Sequence, residues 1–214
     1  MISEAVYINF LDNLVVGNKK NCISIIQNLL EIETDIKEIY TELIQKSMYR
    51  IGQMWDRDKL TITEEHVASQ IITNIIDLIY PKICEIPKNG KRAVISCLDK
   101  EFHEIGPRLI SDYLELNGWN SVFLGANVPA KELVSYIEKN NPDVLGISIN
   151  YYVNMCRLTH LLDEIMQKYP QLKIIIGGQA LGCCNNGLLS NYNNIKYISS
   201  FNALDEFMNN YIIN

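Results

Sequence analysis

The feature that most constrains the fold is a change in apolar pattern near residue 90 of this 214-residue chain. Beyond that point, short and continuous apolar runs alternate with segments of helical periodicity. Continuous apolar strands joined through helices indicate a parallel sheet that helices cover on both faces. We therefore predict a doubly wound, five-stranded parallel sheet, with strands at Ala93–Leu98, Val122–Leu124, Val144–Ile149, Lys173–Ile176 and Lys196–Ile198.

Predicted helices separate these strands and begin near Ile105, Ala130, Met155 and Leu181, with a last helix from about Ala203. This alternation is typical of α/β folds of the flavodoxin-like or Rossmann-like kind. Such sheets bind ligands at the carboxyl ends of their strands, near the point where the strand order reverses. The residues that carry chemistry should therefore follow directly after Leu98, Ile149 and Ile176.

The first 90 residues place apolar side chains at three- and four-residue spacing, which is the pattern of amphipathic helices. The longest such run is Ile32–Met54. Thr61 and Glu64 form a capping-box pattern that predicts the start of a further helix. Pro81 predicts its end near Tyr80.

A cluster of turn-forming residues, Pro87-Lys88-Asn89-Gly90, separates the two patterns. We predict two domains around it, a four-helix-type bundle at residues 1–88 and a Rossmann-like domain at residues 89–214. Because the bundle pattern starts almost at Met1, we expect no DNA-binding segment before it.

The overall charge limits the classes of partner. A formal charge of −6 and a pI near 5.1 argue against the basic surface that nucleic-acid binding needs. The chain start lacks the pattern of a signal peptide, and no apolar run reaches the roughly 20 residues that span a bilayer. We expect a cytoplasmic protein without direct nucleic-acid or membrane binding; if it regulates a gene, it should do so through an unidentified protein partner.

The six cysteines include no CxxC pair and are expected to be free thiols, mostly buried. The adjacent Cys183 and Cys184 have no further cysteine or histidine nearby. They are therefore a weak candidate for a site that binds a soft metal.

The loop after the first predicted strand carries a histidine, His103, that can present a ring nitrogen to a ligand. Glu101, two residues earlier, can accept the other ring N–H and raise the basicity of the ligating nitrogen. Gly106 allows the start of the next helix to approach a ligand closely. A single loop histidine is ordinarily a solvated surface residue. The residues at the other strand ends are therefore needed to distinguish a ligand from a surface histidine.

Small and polar residues occur at the ends of two further predicted strands. The third strand ends at Ser148 and Asn150, and the fourth ends at Gly177 and Gly178. Such residues at neighbouring strand ends can line a slot for an elongated group. Each feature is common alone, but their combination in this order is specific.

The strand-end residues resemble the pattern of cobalamin-binding domains, as in methionine synthase and the corrinoid carriers of methyltransferases. That pattern is Asp-x-His-x-x-Gly, then Ser-x-Leu, then Gly-Gly. This chain reads Glu101-x-His103-x-x-Gly106, Ser148-x-Asn150 and Gly177-Gly178, in matching order across almost all of residues 91–200. Glu101 in place of Asp and Asn150 in place of Leu are its two departures.

The resemblance implies that His103 displaces the dimethylbenzimidazole base of cobalamin and binds cobalt, the base-off/His-on state. Glu101 would support the imidazole. The displaced nucleotide tail would lie in a slot formed at Ile105 and Gly106, at Ser148 and Asn150, and at Gly177 and Gly178.

A second resemblance concerns the helical half. Trp55 is followed ten and eleven positions later by Glu65 and His66, as in the bundle of B12-dependent photoreceptor regulators. The resemblance implies that these three residues surround the adenosyl group of adenosylcobalamin, with Trp55 as a flat apolar surface. Considered alone, Trp55 could equally be a core residue, and Glu65 and His66 could be ordinary first-turn residues.

The two resemblances together imply a protein that binds cobalamin, with adenosylcobalamin favoured, as a stand-alone sensor of light or of cobalamin acting through a partner. The alternative is a corrinoid carrier that works with a methyltransferase and binds methylcobalamin. Asp56 stands where some photoreceptors have a second histidine that binds cobalt after photolysis, so this chain has no obvious ligand at that position. His66 stays open as a substitute, and His160 is expected at the surface. A haem or bilin pigment and a homo-oligomer stay open.

Two other ligand classes of this fold fit poorly. A phosphoacceptor receiver domain needs an aspartate after the third strand and a lysine after the fifth, where this chain has Asn150 and Ser199-Ser200. A flavin site needs a phosphate cradle in the first loop, which here carries acidic residues.

Overall fold

The structure is a computed structural model and describes residues 1–182, 189 and 192–212. Cys183 and Cys184 lie outside the described residues. The chain divides into two compact units, Met1–Glu85 and Ile86–Asn214. Within the described residues, no helix combines the length and the apolar character needed to cross a membrane.

The first unit is built from four helical stretches. They comprise α1 (Glu4–Val15), α2 (Lys19–Glu31), a composite of α3 (Ile36–Glu38), a π-helical segment (Ile39–Gln45) and α4 (Lys46–Trp55), and finally α5 (Ile62–Ile83). A side-chain oxygen caps the start of each stretch by accepting a backbone N–H of the first turn. The capping residues are Ser3, Asn18, Asp35 and Thr61 in turn. Such residues satisfy amide groups that the helix itself leaves without partners.

Apolar side chains from all four stretches form the core of this unit. The fully buried members include Phe10, Leu14, Ile26, Leu43, Ile44, Ile51, Ile72, Ile75 and Ile76. The predicted four-helix-type bundle is therefore confirmed.

Two details of the bundle differ from the sequence-based expectation. The run predicted from Ile32 becomes helical only at Ile36, because Asp35 caps the helix there. The helix predicted to end near Tyr80 continues through Pro81 to Ile83. In the last turn a proline removes only one amide donor, and burial of Ile83 keeps that turn helical.

The second unit alternates strands and helices along the chain. In order they are β1 (Arg92–Cys97), α6 (Ile105–Leu116), β2 (Asn120–Phe123), α7 (Ala130–Asn140), β3 (Val144–Ser148), α8 (Met155–Lys168), β4 (Lys173–Gly177), β5 (Ile195–Tyr197) and α9 (Phe201–Ile212). Short 3₁₀ turns at Tyr152–Asn154 and Gln179–Leu181 follow β3 and β4.

Within the described residues the sheet has five strands, all parallel, in the order β2-β1-β3-β4-β5. Alternate residues of each strand face different helices. Val94, Leu145 and Ile174 join a core with α7 and α8. On the other side α6 packs on β1 and β2, and Tyr113 of α6 contacts Phe201 of α9. Helices therefore cover both faces, and the predicted doubly wound sheet is confirmed.

The turn cluster before β1 packs with the second unit. The Nζ of Lys88 lies 2.8 Å from Glu115 Oε2 at the end of α6. The N–H of Asn89 donates to the carbonyl of Gly118, at 2.7 Å. These contacts explain why the division between the compact units falls before the cluster.

Candidate functional site

The strand order reverses between β1 and β3, so the loops that follow these two strands flank the switch point of the sheet. Ligands of doubly wound folds bind at this place. The loop after β1 carries Glu101 and His103, and the loop after β3 carries Asn150 and Tyr151. The sequence signals for a ligand thus meet at one edge of one sheet.

The two side chains of the β1 loop are in contact but differ in exposure. Glu101 is completely buried, whereas 49% of the His103 side chain is exposed. The Nδ1 atom of His103 lies 2.5 Å from Oε1 of Glu101. An ionised carboxylate only accepts, so Nδ1 carries the proton and donates it, which leaves the lone pair of the imidazole on Nε2.

The second oxygen of Glu101 is held by the loop after β3. Oε2 accepts the backbone N–H of Asn150 at 2.8 Å and that of Tyr151 at 3.1 Å. The buried carboxylate therefore ties the histidine of one loop to the backbone of the other.

These contacts determine the ionisation of Glu101. Burial raises the pKa of its carboxyl, but the hydrogen bonds from His103, Asn150 and Tyr151 outweigh that effect and set the pKa at about 2. Glu101 is therefore ionised at every pH at which the protein would be studied, and it remains an acceptor for the imidazole.

The ends of β3 and β4 lie side by side, with Ser148 paired to Gly177 in register. Gly178 has a φ of +102°, and an added Cβ would lie 2.1 Å from the carbonyl oxygen of Ile149. Only glycine permits this approach of the two chain segments. At Gly177 an added Cβ would lie 3.7 Å from the carbonyl oxygen of Ile198, which is an ordinary contact, so the backbone does not require glycine there.

The first turn of α6 contains Ile105 and Gly106. A Cβ added at Gly106 would meet no atom within 4 Å. The helix start therefore borders open space, as it should if a bulky group approaches there. This space and the exposed ring of His103 fit a corrinoid.

Three further residues support the loops and were missed by the sequence reasoning. The Tyr151 ring lies edge-on to that of His103, with centroids 4.8 Å apart. The N–H of Gln179 donates to the Asn150 side chain. Asn127, after β2, accepts the N–H of Lys100 and donates its own to the Glu101 carbonyl. Only Asn127 carried a usable signal, because an asparagine in a short loop favours the left-handed conformation that it adopts at φ 52°.

The remaining predicted residues lie in the first unit. Trp55 ends α4 and is 44% exposed, so it is not a core tryptophan. Glu65 and His66 lie in the first turns of α5, with His66 Nε2 3.6 Å from Glu65 Oε2. Glu65 also accepts the hydroxyl of Ser69, at 2.7 Å. Within the described residues, no hydrogen bond joins Trp55 to either one.

Comparison with known proteins identifies relatives of two kinds. The HTH-type transcriptional repressor CarA of Myxococcus xanthus is 26% identical over 120 residues, which cover 56% of this chain and 41% of the repressor. Dimethylamine corrinoid protein 2 of Methanosarcina acetivorans is 23% identical over 184 residues, covering 83% and 84% of the two chains. The chain thus spans less than half the length of the repressor.

A solved structure shares the fold over almost the whole chain. The monomethylamine corrinoid protein of Methanosarcina barkeri superposes with a TM-score of 0.83 at 16% identity, covering 97% of this chain and 99% of the other. At that identity the match shows the fold alone.

Sequence models of two domain families, both described as B12 binding domains, match the two parts of the chain. One matches residues 9–80, in the bundle. The other matches residues 91–202, more than half of the chain, and includes every strand-end residue considered above. The chain therefore belongs to the B12-binding domain family.

Proposed function

We propose that this protein binds cobalamin base-off/His-on, with His103 as the lower axial ligand, and serves as a sensor of light or of cobalamin that acts through a partner. One observation carries the proposal: an exposed imidazole at the switch point of the sheet is held by a buried, ionised carboxylate. Carboxylate–histidine pairs of this kind orient metal-ligating rings and increase their basicity.

Each residue has a separate task in this proposal. Glu101 keeps the Nδ1 of His103 protonated, so that Nε2 is the nitrogen directed at the metal. Gly106 borders open space and Gly177 presents no side chain, which would admit the nucleotide tail to the slot. Ser148, Asn150 and Gly178 lie at the strand ends that border the slot, and Ile105 opens the helix beside it.

The bundle residues support adenosylcobalamin as the favoured form. A large aromatic side chain that ends a helix half-exposed is available to a ligand, and Trp55 meets this condition. Glu65 and His66 offer hydrogen-bonding groups for ribose or adenine, and both have exposed surface. Adenosylcobalamin supplies a cobalt–carbon bond that light breaks, and a sensor would convert that loss into a change that a partner detects.

A corrinoid carrier for a methyltransferase is the second candidate. Its support is the match to corrinoid proteins along most of the chain, both in sequence and in fold. A carrier would prefer methylcobalamin and would pass the methyl group to a partner enzyme. The sensor and the carrier share His103 and differ in the group above the corrin.

Ligation of cobalt by His103 is common to the sensor and the carrier. It is tested by absorption spectra of the protein with hydroxo-, methyl- and adenosylcobalamin, recorded in darkness. We expect the wild type to show the base-off/His-on spectrum and His103→Ala to lose it. His160→Ala is the matched control, because it removes an exposed histidine of α8 and should change nothing. An unchanged spectrum for His103→Ala would show that His103 is not the ligand.

Illumination of the adenosylcobalamin complex separates the two candidates. A sensor should change its oligomeric size or its binding to a partner after light, and Trp55→Ala should weaken the preference for adenosyl- over methylcobalamin. Tyr49→Ala, which removes another exposed aromatic residue of α4, is the control. A preference for methylcobalamin, with methyl transfer when a corrinoid methyltransferase is supplied, would favour the carrier.

A further inference from the structure

Asn150 makes hydrogen bonds that connect the loops after β1, β3 and β4, at the carboxyl ends of these strands. Its backbone N–H donates to Oε2 of Glu101, at 2.8 Å. Its side-chain Oδ1 accepts the backbone N–H of Gln179, at 2.9 Å. Since Glu101 also holds His103, a continuous hydrogen-bonded path runs from the loop after β1, through the loop after β3, to the loop after β4.

The residues next to Gln179, at the end of this path, pack closely against the loop after β3. Gly178 lies against the backbone of Ile149, which leaves no space for a side chain. The N–H of Ala180 donates to the Ile149 carbonyl, at 3.3 Å. Gly178 and Ala180 are therefore held against Ile149, the residue before Asn150.

The side chain of Asn150 is the replaceable part of this path. Leucine, the residue that the cobalamin-binding pattern has here, possesses no oxygen and would leave the N–H of Gln179 without this acceptor. The backbone bond from residue 150 to Glu101 does not depend on the side chain. Substitution thus cuts the path between Asn150 and Gln179 while it preserves the support of His103.

We propose that Asn150 is a positioning residue that couples the slot for the nucleotide tail to ligation by His103. A tail held along Gly177 and Gly178 stabilises the position of the next residue, Gln179. Through the hydrogen bonds of Asn150 and Glu101, this restraint also limits the motion of the His103 imidazole. Binding of the tail and ligation of cobalt then strengthen each other. This inference rests on the proposed function, since it requires cobalamin to be bound with its tail displaced.

The test compares two probes with the same corrin ring, hydroxocobalamin and diaquacobinamide, which lacks the nucleotide tail. Spectroscopic titration gives both dissociation constants for the full-length protein. In Asn150→Leu we expect the affinity for hydroxocobalamin to fall about tenfold, within the usual range of coupling between sites, and that for diaquacobinamide to change less than about twofold. The ratio of the two affinities should therefore shrink about tenfold.

Variants of Gln179 distinguish coupling from a direct contact between Asn150 and the tail. Gln179→Pro removes the amide donor and leaves Asn150 intact, so it should reduce the same ratio. Combining it with Asn150→Leu should add little, because both changes remove the same hydrogen bond, from the Gln179 N–H to Asn150 Oδ1. Gln179→Ala keeps the N–H and is the matched control, with an expected ratio equal to that of the wild type.

Hydrogen exchange in the apo-protein tests the hydrogen bond between Gln179 and Asn150 directly. In the apo-protein, hydrogen exchange at the Gln179 amide should be faster in Asn150→Leu than in the wild type, whereas exchange at Ile149 stays the same. If the wild type and Asn150→Leu both bind in the His-on state with the same affinity ratio, the coupling is wrong and the proposed function stands. If the wild type does not bind hydroxocobalamin through His103, the proposed function fails and this inference fails with it.

Discussion

At the scale of single residues, Glu101 organises the site because its two oxygens serve different loops. One oxygen contacts His103, and the other accepts two backbone amides of the β3 loop. A buried carboxylate is stable only when such donors compensate for the loss of water. The same hydrogen bonds therefore allow Glu101 to be buried and let it support the imidazole of His103.

Two glycines of the site should respond to alanine in opposite ways. Gly178→Ala forces a Cβ into the Ile149 backbone at positive φ, so we expect the free energy of unfolding to fall by at least about 2 kcal/mol. Gly106→Ala meets open space within a helix and should raise it by up to about 1 kcal/mol. Urea denaturation of the apo-proteins measures both changes.

Gly106→Ala should nevertheless weaken hydroxocobalamin binding by about tenfold, because the new methyl group occupies space that the ligand needs. Titration of the same protein sample tests this result. Binding as tight as in the wild type would mean that the ligand does not approach the start of α6.

The thiols provide a prediction about pH. Burial raises the pKa of Cys22 to about 11 and, with Glu101 and Glu104 adding to the effect, that of Cys97 to about 12. Only a thiolate reacts with iodoacetamide, so at pH 8 both should be alkylated far more slowly than the exposed Cys84 and Cys156. Peptide mass spectrometry measures each site, and a higher pH should speed labelling of the buried pair.

Unfolding the protein in guanidinium is the control, because it should equalise the four rates. Labelling of Cys97 in the native protein as fast as that of Cys156 would contradict the burial seen here.

Spacing along the chain predicted only part of the residue-scale contacts. Glu101 and His103 are two positions apart within one loop, so their contact can be inferred without a fold. The bonds from Asn150 to Glu101 and Gln179 join residues 49 and 29 positions apart. They depend on the register of β1, β3 and β4, and no local pattern of the sequence encodes that register.

At the scale of elements, the structure confirms the strands and most helix starts because their signals are local. The π-helical segment could not be predicted. Its buried residues Ile39, Tyr40, Leu43 and Ile44 are three or four positions apart and would suit an ordinary helix equally well. The helix beyond Pro81 was missed for a different reason, since tertiary burial of Ile83 overrides the local effect of proline.

The capping box at the start of α5 should contribute measurably to stability. The Thr61 hydroxyl accepts the Glu64 N–H at 3.3 Å, and the Glu64 carboxylate accepts the Thr61 N–H at 2.7 Å. Thr61→Ala removes the first bond, and we expect a loss of about 1 kcal/mol in the free energy of unfolding. Thr61→Ser, which keeps the hydroxyl, should lose little.

Denaturation followed by far-UV circular dichroism measures both variants. If the two variants lose equal stability, the effect comes from the threonine methyl group and not from the cap.

At the scale of the whole molecule, the residues considered above belong to two compact units. The residues proposed for cobalt ligation and for the nucleotide tail lie in Ile86–Asn214, and Trp55, Glu65 and His66 lie in Met1–Glu85. The sheet unit has its own core between its strands and helices. We therefore predict that residues 86–214 fold alone and bind hydroxocobalamin through His103.

This fragment should lose the preference for adenosylcobalamin, because the residues proposed for the upper group are absent. Spectra of the fragment beside those of the full chain measure both properties, and the fragment carrying His103→Ala is the control. A folded fragment that still prefers the adenosyl form would remove the proposed role of the bundle residues.

The support of Glu101 by backbone amides has a consequence for the evolution of such proteins. An amide donor belongs to the chain and survives almost any change of side chain, so positions 150 and 151 can vary freely without releasing the carboxylate. A lineage can thus exchange leucine for asparagine at position 150, acquire the link to Gln179, and lose nothing at the histidine. Side chains at these two positions can therefore change during evolution while the support of His103 by Glu101 is kept.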